Sequence, residues 1–191
     1  MTQKILVVDD ETSSRNIFSS ILKKAGHQIT EAASQTEASD CIDKENFDLI
    51  LCDIYLGGQN GIDLLEHVKK VQPTCPVIMV TGSPTLHSAT EAVRLGAYDY
   101  LTKPVHGEDL LRITDRALGF KRLADQQQET KANLEAIFRS VKDAIVTVDN
   151  KLNVLAINDA ASSLCGYPPD IRGKNLESDQ PCQKKCFALI Q

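Results

Sequence analysis

This chain of 191 residues is informative first through what it lacks. No apolar run approaches the roughly 20 residues that a membrane-crossing helix needs. No signal-peptide pattern opens it, because Met1 leads directly into a strand-like run. There is no surplus of basic residues: 21 Lys and Arg stand against 26 Asp and Glu, a formal net charge of −5. The sequence therefore argues against direct nucleic-acid binding by these residues. No G-x-G-x-x-G or P-loop follows the first strand, which argues against dinucleotide or ATP binding. The six cysteines are scattered, and three lie in or beside apolar runs, where free cysteine behaves as a small hydrophobe. That implies a reduced, cytoplasmic protein without a disulfide framework. Cys182 and Cys186 form a C-x3-C pair, two ligands short of a closed metal site. His27, His67, His87 and His106 have no metal-ligand spacing and read as surface or cap residues.

What is present is ordinary globular composition, 42% apolar and 25% charged, in a regular alternation. Strand-length apolar runs occur at "KILVV", "HQITEA", "LILCD", "PVIMV" and "YDYLT". Amphipathic stretches of helical length lie between them. "SSRNIFSSILKKAG" offers Ile17, Ile21 and Leu22 as an apolar face, with Gly26 as a stop. "SQTEASDCIDKEN" starts on a Ser cap and carries Ala38, Cys41 and Ile42 on one face. "GIDLLEHVKKVQ" and "TLHSATEAVRLG" repeat the scheme. Strands alternating with helices predict an α/β fold, a parallel five-stranded sheet covered on both faces. The third and fourth strands, continuously apolar, should be fully buried.

A fifth helix starts near Gly107 and meets no Pro before Val141. Ile113, Ala117, Phe120, Ala124, Gln127, Lys131, Leu134, Phe138 and Val141 alternate in steps of four and three, a coiled-coil seam with a polar middle. The alternative is a capping helix followed by a solvated linker. From Asp143, "AIVTVDNKLNVLAIN" reads as a hairpin turning at Asp149, Asn150 and Lys151, followed by a short Asp-capped helix and a Gly-Tyr-Pro-Pro turn.

The stretch "ILVVDDE" raises the chemical question. Two carboxylates about 4 Å apart repel by roughly 4 kcal/mol at an effective dielectric near 20. In an open parallel sheet, ligands sit beyond the carboxyl ends of the strands, where strand order reverses. The strands deliver Asp9 and Asp10, Asp53, Thr81 and Lys103 to that edge. A hard divalent cation offsets the repulsion, and Mg²⁺ suits two or three carboxylates while keeping waters for a phosphate. An Asp carboxylate can attack phosphorus to give an aspartyl-phosphate. No general base is required, since aspartate is ordinarily ionised at neutral pH. Lys103 supplies a point charge to a phosphoryl oxygen and Thr81 a hydrogen bond.

The set "VVDDE", "LILCDIYLGGQNGIDLL", "VIMVTGS" and "AYDYLTKP" resembles the receiver domain of two-component response regulators, over about Thr2 to Phe120. The resemblance implies a flavodoxin-like doubly wound sheet with Asp53 as phosphoacceptor. It implies Mg²⁺ held by Asp9, Asp10, Asp53 and the backbone carbonyl of Tyr55, with Thr81 and Lys103 reading the phosphoryl group. Tyr100 falls at the family's aromatic switch position, and the Lys103–Pro104 bond is cis in many relatives. Receivers usually carry Pro where this chain has Gly57, so "GGQNG" is expected to be a more flexible loop. "LEAIFRSVKDAIVTVDNKLNVLAINDAASSLCGYPPDIRGKNL" resembles the front part of a PAS domain.

The implied organisation is a receiver at 1–120, a helical coiled-coil linker at 121–142 and a truncated PAS-like segment at 143–191. Implied partners are a sensor histidine kinase, a second copy of the chain through the linker helix, and a downstream output domain absent here. In relatives of this layout the output belongs to sigma-54-dependent activators, histidine kinases or cyclases. The module would be a phosphorylation switch rather than an enzyme, its only chemistry self-phosphorylation from a donor and autodephosphorylation. The rival reading is a Mg²⁺-dependent phosphatase with Asp9 as nucleophile and Glu11 as acid/base, which needs a cap insertion after the first strand. A receiver serving only as a scaffold is a third.

Overall fold

The computed structural model describes residues 2–166 and 171–175. Two compact units emerge, Met1–Gln126 and Gln127–Gln191.

In the first unit five strands form one parallel sheet: β1 (Lys4–Val8), β2 (Gln28–Ala32), β3 (Leu49–Asp53), β6 (Val77–Thr81) and β7 (Asp99–Thr102). Their order is β2-β1-β3-β6-β7. The chain therefore steps outward from β1 to β2 and returns to the other side of β1 for β3, so strand order reverses between β1 and β3. β3 and β6 are buried at every position, and β1 at all but its first residue. Period-two alternation splits their side chains between two cores. Leu6, Val8, Ile50, Cys52 and Met79 pack with α2 (Gln35–Lys44), α3 (Gly61–Val71) and α4 (Leu86–Arg94). Ile5, Val7, Leu51, Ile78 and Val80 pack with α1 (Thr12–Lys24) and the start of α5 (Gly107–Ser140). Each large side chain so buried contributes about 1.5–3 kcal/mol.

Local signals explain most helix starts. Ser34 Oγ accepts from Glu37 N at 3.2 Å, Asn60 Oδ1 from Ile62 N at 3.0 Å, and Thr85 Oγ1 from Ser88 N at 3.0 Å. One helix face differs from expectation. In α1 the inward residues are Phe18 and Leu22, four apart, whereas Ile17 points away and is 55% exposed.

The loop after β3 is a short hairpin: Tyr55–Leu56 (β4) pairs antiparallel with Gln59–Asn60 (β5), Tyr55 opposite Asn60. Gly57 and Gly58, at φ 58° and 93°, form the two-residue turn. Both central residues of such a turn need positive φ. Proline, locked near −65°, cannot stand at Gly57 in this geometry.

α5 is one helix of 34 residues, and the division between the units falls inside it. Its expected seam needs correction. Ile113 and Ala117 are buried in the core of the first unit. The exposed large apolar residues are Phe120, Leu123, Leu134 and Ile137. Their spacing moves one seam position from Ala124, Lys131 and Phe138 to Leu123, Thr130 and Ile137. Early core packing rotates the assignment by one residue.

In the second unit β8 (Val146–Val148) pairs antiparallel with β9 (Val154–Ile157), and α6 (Asp159–Cys165) follows. Asp149 holds the turn: its carboxylate accepts from the backbone N–H of Lys151 and Asn153 and from the Asn153 amide. A small core gathers Val154, Ala161 and Ile171 with Val146, Val148 and Ile157. Leu155 and Leu164 remain exposed among the described residues. The cap of α6 is Asn158 rather than Asp159, which is the first helical residue. Asn158 is 1% exposed, and its amide makes four bonds. Its oxygen accepts from Ile145 N and Ala161 N, each at 2.9 Å, and its nitrogen donates to Val141 O at 3.1 Å and Asp143 O at 2.9 Å. Cys182, Cys186 and most of the Gly-Tyr-Pro-Pro turn lie outside the described residues.

Candidate functional site

The reversal of strand order places the ends of β1 and β3 side by side, and with them Asp9 and Asp53. Asp9 is 1% exposed and Asp53 7%, while Asp10 is exposed. One oxygen from each of the three carboxylates lies within 4.8 Å of the others. Lys103, just past β7, reaches across the edge. Its Nζ lies 2.7 Å from Asp9 Oδ2 and 2.5 Å from Asp53 Oδ2. The remaining oxygens are held by the backbone: Glu11 N donates to Asp9 Oδ1 at 2.9 Å, and Tyr55 N to Asp53 Oδ1 at 3.0 Å.

The electrostatics follow from this packing. Burial pushes the Asp9 carboxyl above its ordinary value, against the pull of the Lys103 ammonium. Burial also acts to lower Lys103, but hydrogen bonds to Asp53 and Asp9 more than offset it and hold the ammonium above its usual range. Glu11 sits apart from the cluster. Its carboxylate accepts from Ser13 Oγ at 2.6 Å and Ser14 Oγ at 2.7 Å, and those bonds hold it below its ordinary value.

Thr81 ends β6, the neighbour of β3, fully buried, with Oγ1 accepting from Ser83 N at 3.2 Å. The Lys103–Pro104 bond is cis, and Lys103 N donates to Thr81 O at 2.7 Å. Tyr100 is not at the carboxylates: its ring lies against the α2–α3–α4 side, and its hydroxyl meets Ser88 Oγ at 3.0 Å. Tyr55, 52% exposed, is the first residue of the hairpin. The oxygen donors of Asp9, Asp10 and Asp53 form a hard-ligand set that fits Mg²⁺. Two of those oxygens now accept from Lys103, so a cation there competes with the ammonium.

Sequence reasoning passed over three residues. Arg15 Nη1 donates to the Asp9 carbonyl at 2.6 Å. It reads as a solvated charge on an amphipathic helix, and only its place in the first turn after the acidic run hints otherwise. Gly61 is pressed against β3: a Cβ there would stand 2.0 Å from the Asp53 carbonyl oxygen. Ser88 joins the α4 capping box to Tyr100. The Thr-x-x-Ser spacing was visible, but the partner on β7 was not.

The sequence profile of the response regulator receiver domain matches residues 5–115, and that of a PAS domain matches residues 132–188. An NtrX-like response regulator of Rickettsia conorii is 33% identical over 163 residues, 84% of this chain and 34% of the relative. The transcriptional regulatory protein ZraR of Klebsiella oxytoca is 33% identical over 165 residues, 85% of this chain and 37% of the relative. The chain thus spans about a third of the length of the curated relatives it matches. Among solved structures it is similar to a CheY-like response regulator receiver domain protein from Methanospirillum hungatei. That protein shares 34% identity at a TM-score of 0.63, covering 65% of this chain and 99% of the other. It is also similar to the beryllofluoride-activated NtrC4 receiver domain dimer, with 30% identity and a TM-score of 0.59, covering 62% of this chain and 98% of the other. Because the receiver match takes in more than half of its residues, the chain belongs to the response regulator receiver domain family.

Proposed function

We propose that this chain is the phosphorylation-controlled input of a two-component response regulator, with Asp53 as phosphoacceptor. The observation that carries the reading is the Lys103 ammonium shared between Asp9 and Asp53, with Asp10 beside them. It is a site built to hold anionic oxygen and a cation together. Asp53 presents one oxygen to a phosphodonor. The new O–P bond forms as the bond to the donor's leaving group breaks, and the leaving group departs with that electron pair. The Tyr55 N–H keeps the other Asp53 oxygen in place. Lys103 then exchanges a carboxylate for a phosphoryl oxygen, and the Thr81 hydroxyl donates to another. Asp9, Asp10, Asp53 and the Tyr55 carbonyl would hold Mg²⁺, which when bound neutralises charge on the transferred group. Water later attacks the phosphorus, the bond to the Asp53 oxygen breaks with its electron pair returning to the carboxylate, and inorganic phosphate and a proton leave.

The donor in this reading is a sensor histidine kinase, and the signal passes along α5 to a downstream output domain acting in transcription control. The name of the ZraR relative supports that output. We assign residues 1–120 to the receiver, 121–142 to the linker and 143–191 to the PAS-like segment. Phe120, Leu123, Gln127, Thr130, Leu134, Ile137 and Val141 form a heptad seam that suits pairing with a second copy. The NtrC4 receiver dimer is a precedent for dimeric assembly. Among the described residues no helix is long and apolar enough to cross a membrane. The proposed role, an input read by a transcription-controlling output domain, belongs in the cytoplasm.

The phosphatase reading is disfavoured because Glu11 is engaged by Ser13 and Ser14, and because α1 begins at Thr12 without space for a cap insertion. The test is treatment with acetyl phosphate and Mg²⁺, then peptide mapping by mass spectrometry. Label on Asp53, absent in Asp53→Asn, supports the switch; label on Asp9 overturns it.

A further inference from the structure

Asp10 poses a problem that the rest of the site does not. Asp9 and Asp53 are each held through both carboxylate oxygens, whereas Asp10 is exposed on the turn between β1 and α1. The held group nearest to it is the peptide unit that joins it to Asp9. The carbonyl of that peptide is the Asp9 carbonyl, and Arg15 Nη1 donates to it at 2.6 Å. One peptide earlier, Asp9 N donates to Ala32 O of β2 at 3.2 Å and ties the chain entering the turn to the sheet. The guanidinium is itself held. Its Nε lies 3.8 Å from Glu31 Oε2 on β2, and Lys23 Nζ holds the other Glu31 oxygen at 2.9 Å. Nη2 lies 3.4 Å from Thr12 Oγ1. The Arg15 side chain is 14% exposed, so this is a packed arrangement and not a surface pair.

We infer that Arg15 is a positioning residue for the divalent cation, and that it aims Asp10 by holding the Asp9–Asp10 peptide plane, with Glu31 holding Arg15. The inference rests on the Mg²⁺ reading of the acidic cluster. It goes beyond that reading by assigning a role to a cation that touches no ligand oxygen of the proposed metal. Outer partners of this kind typically change metal affinity by about 10–100-fold when removed. The sign separates the idea from plain electrostatics. A positive charge beside a cation site opposes binding through charge alone, so its removal should tighten Mg²⁺. Positioning predicts the reverse.

The experiment is calorimetric titration of Mg²⁺ into the unphosphorylated full chain, compared for wild type, Arg15→Gln, Arg15→Lys, Glu31→Gln and the Arg15→Gln/Glu31→Gln pair. Arg15→Gln should weaken Mg²⁺ by about 10-fold or more. Arg15→Lys keeps the charge but cannot reach the Asp9 carbonyl and Glu31 together, and it should weaken binding as well. Glu31→Gln should weaken binding less than Arg15→Gln and add nothing in the pair. Circular dichroism and melting confirm that each variant is folded; if Arg15→Gln is not, the lysine and Glu31 variants carry the test. Unchanged or tighter binding by the folded Arg15 variants, with normal wild-type binding, overturns the role of Arg15 alone. A wild type that takes up no Mg²⁺ overturns the metal reading and this inference together.

Discussion

Replacing Gly61 with alanine should disable the phosphoacceptor without touching any group that reacts. Gly61 opens α3, and its N–H donates to Ile54 O at 2.8 Å, so the helix start lies directly over the end of β3. An added Cβ would stand 2.0 Å from the Asp53 carbonyl oxygen and 3.0 Å from Cys52 Sγ. Cys52 is fully packed and cannot yield, and the carbonyl belongs to the strand itself. To reach the shortest tolerable contact, 3.0 Å, the Asp53 backbone and α3 must separate by at least 1 Å. Reacting groups need positions good to about 0.5 Å. A misplacement of about 1 Å can cost about 100-fold in rate. Overpacking of this kind also costs about 1–3 kcal/mol of stability. The assay is the rate of phosphorylation by acetyl phosphate, followed by intact-mass spectrometry well below the melting temperature of each variant. Asn60→Ala is the control. It removes the α3 cap, at a cost of about 0.5–2 kcal/mol, and leaves the Asp53 carbonyl alone. Asn60→Ala should melt earlier yet react at nearly the wild-type rate, whereas Gly61→Ala should react about 100-fold more slowly. A folded Gly61→Ala protein labelled at the wild-type rate would refute the reasoning.

Tyr100 and Ser88 should behave as one unit. Tyr100→Phe removes the shared hydroxyl contact, worth about 0.5–1.5 kcal/mol; Ser88→Ala removes it together with the bonds to Thr85 in the capping box, so the double variant should add little to Ser88→Ala. Beryllofluoride-titrated NMR spectra would report the shift toward the activated form; strictly additive effects would rule out the coupling. Mg²⁺ binding should weaken on acidification sooner than for an exposed aspartate site. Burial raises Asp9 above its ordinary 3.8, and protons compete with the cation from that higher pH downward. Calorimetry over falling pH checks this, and affinity that stays flat down to 3.8 would contradict it. Asn158→Asp should destabilise the second unit by a few kcal/mol, since it trades two N–H donors for an oxygen facing the Val141 and Asp143 carbonyls. Hydrogen exchange at Ile145 would then quicken, and unchanged exchange there would count against the four-bond joint.

The parallel sheet could be read from the sequence because its central strands are buried on both faces, leaving continuous apolar runs such as "LILCD" and "VIMVT". Asp9, Asp53, Thr81 and Lys103 were legible as a group because each ends or follows a strand, and strand ends share an edge. The misreadings have a common cause: they depend on rotation about a helix or on a partner far along the chain. Ile17 and Phe18 are neighbours in sequence, and only docking onto the sheet decides which turns inward. The α5 seam shifted for the same reason, once Ile113 and Ala117 were used in the core. Arg15 finds the Asp9 carbonyl six residues back, and Ser88 finds Tyr100 twelve residues on. The Gly57–Gly58 hairpin went unread because Gly57 was weighed only as the place of a missing proline, whereas two adjacent positive-φ glycines close a two-residue turn there.

The three carboxylates of "DDE" dispose of their charge in three ways. Glu11 turns back to the hydroxyls at the head of α1, Asp10 faces water, and Asp9 turns inward to share an ammonium with Asp53. Asp9, Asp10, Asp53 and Lys103 together carry a formal charge of −2, concentrated where strand order reverses. In the proposed function a divalent cation would neutralise that charge. In the proposed switch, a phosphoryl group bringing about −1.5 to −2 replaces the single negative charge of the Asp53 carboxylate, so about −0.5 to −1 returns at one defined point, beyond Asp53. The groups able to answer it are already in place: Lys103, leaving one of its two carboxylates, and Thr81, on the next strand with its hydroxyl now tied to Ser83 N. The Thr81 carbonyl is bonded to Lys103 N, so the two residues proposed to read the phosphoryl group are linked through the backbone, just before the segment that leads into α5.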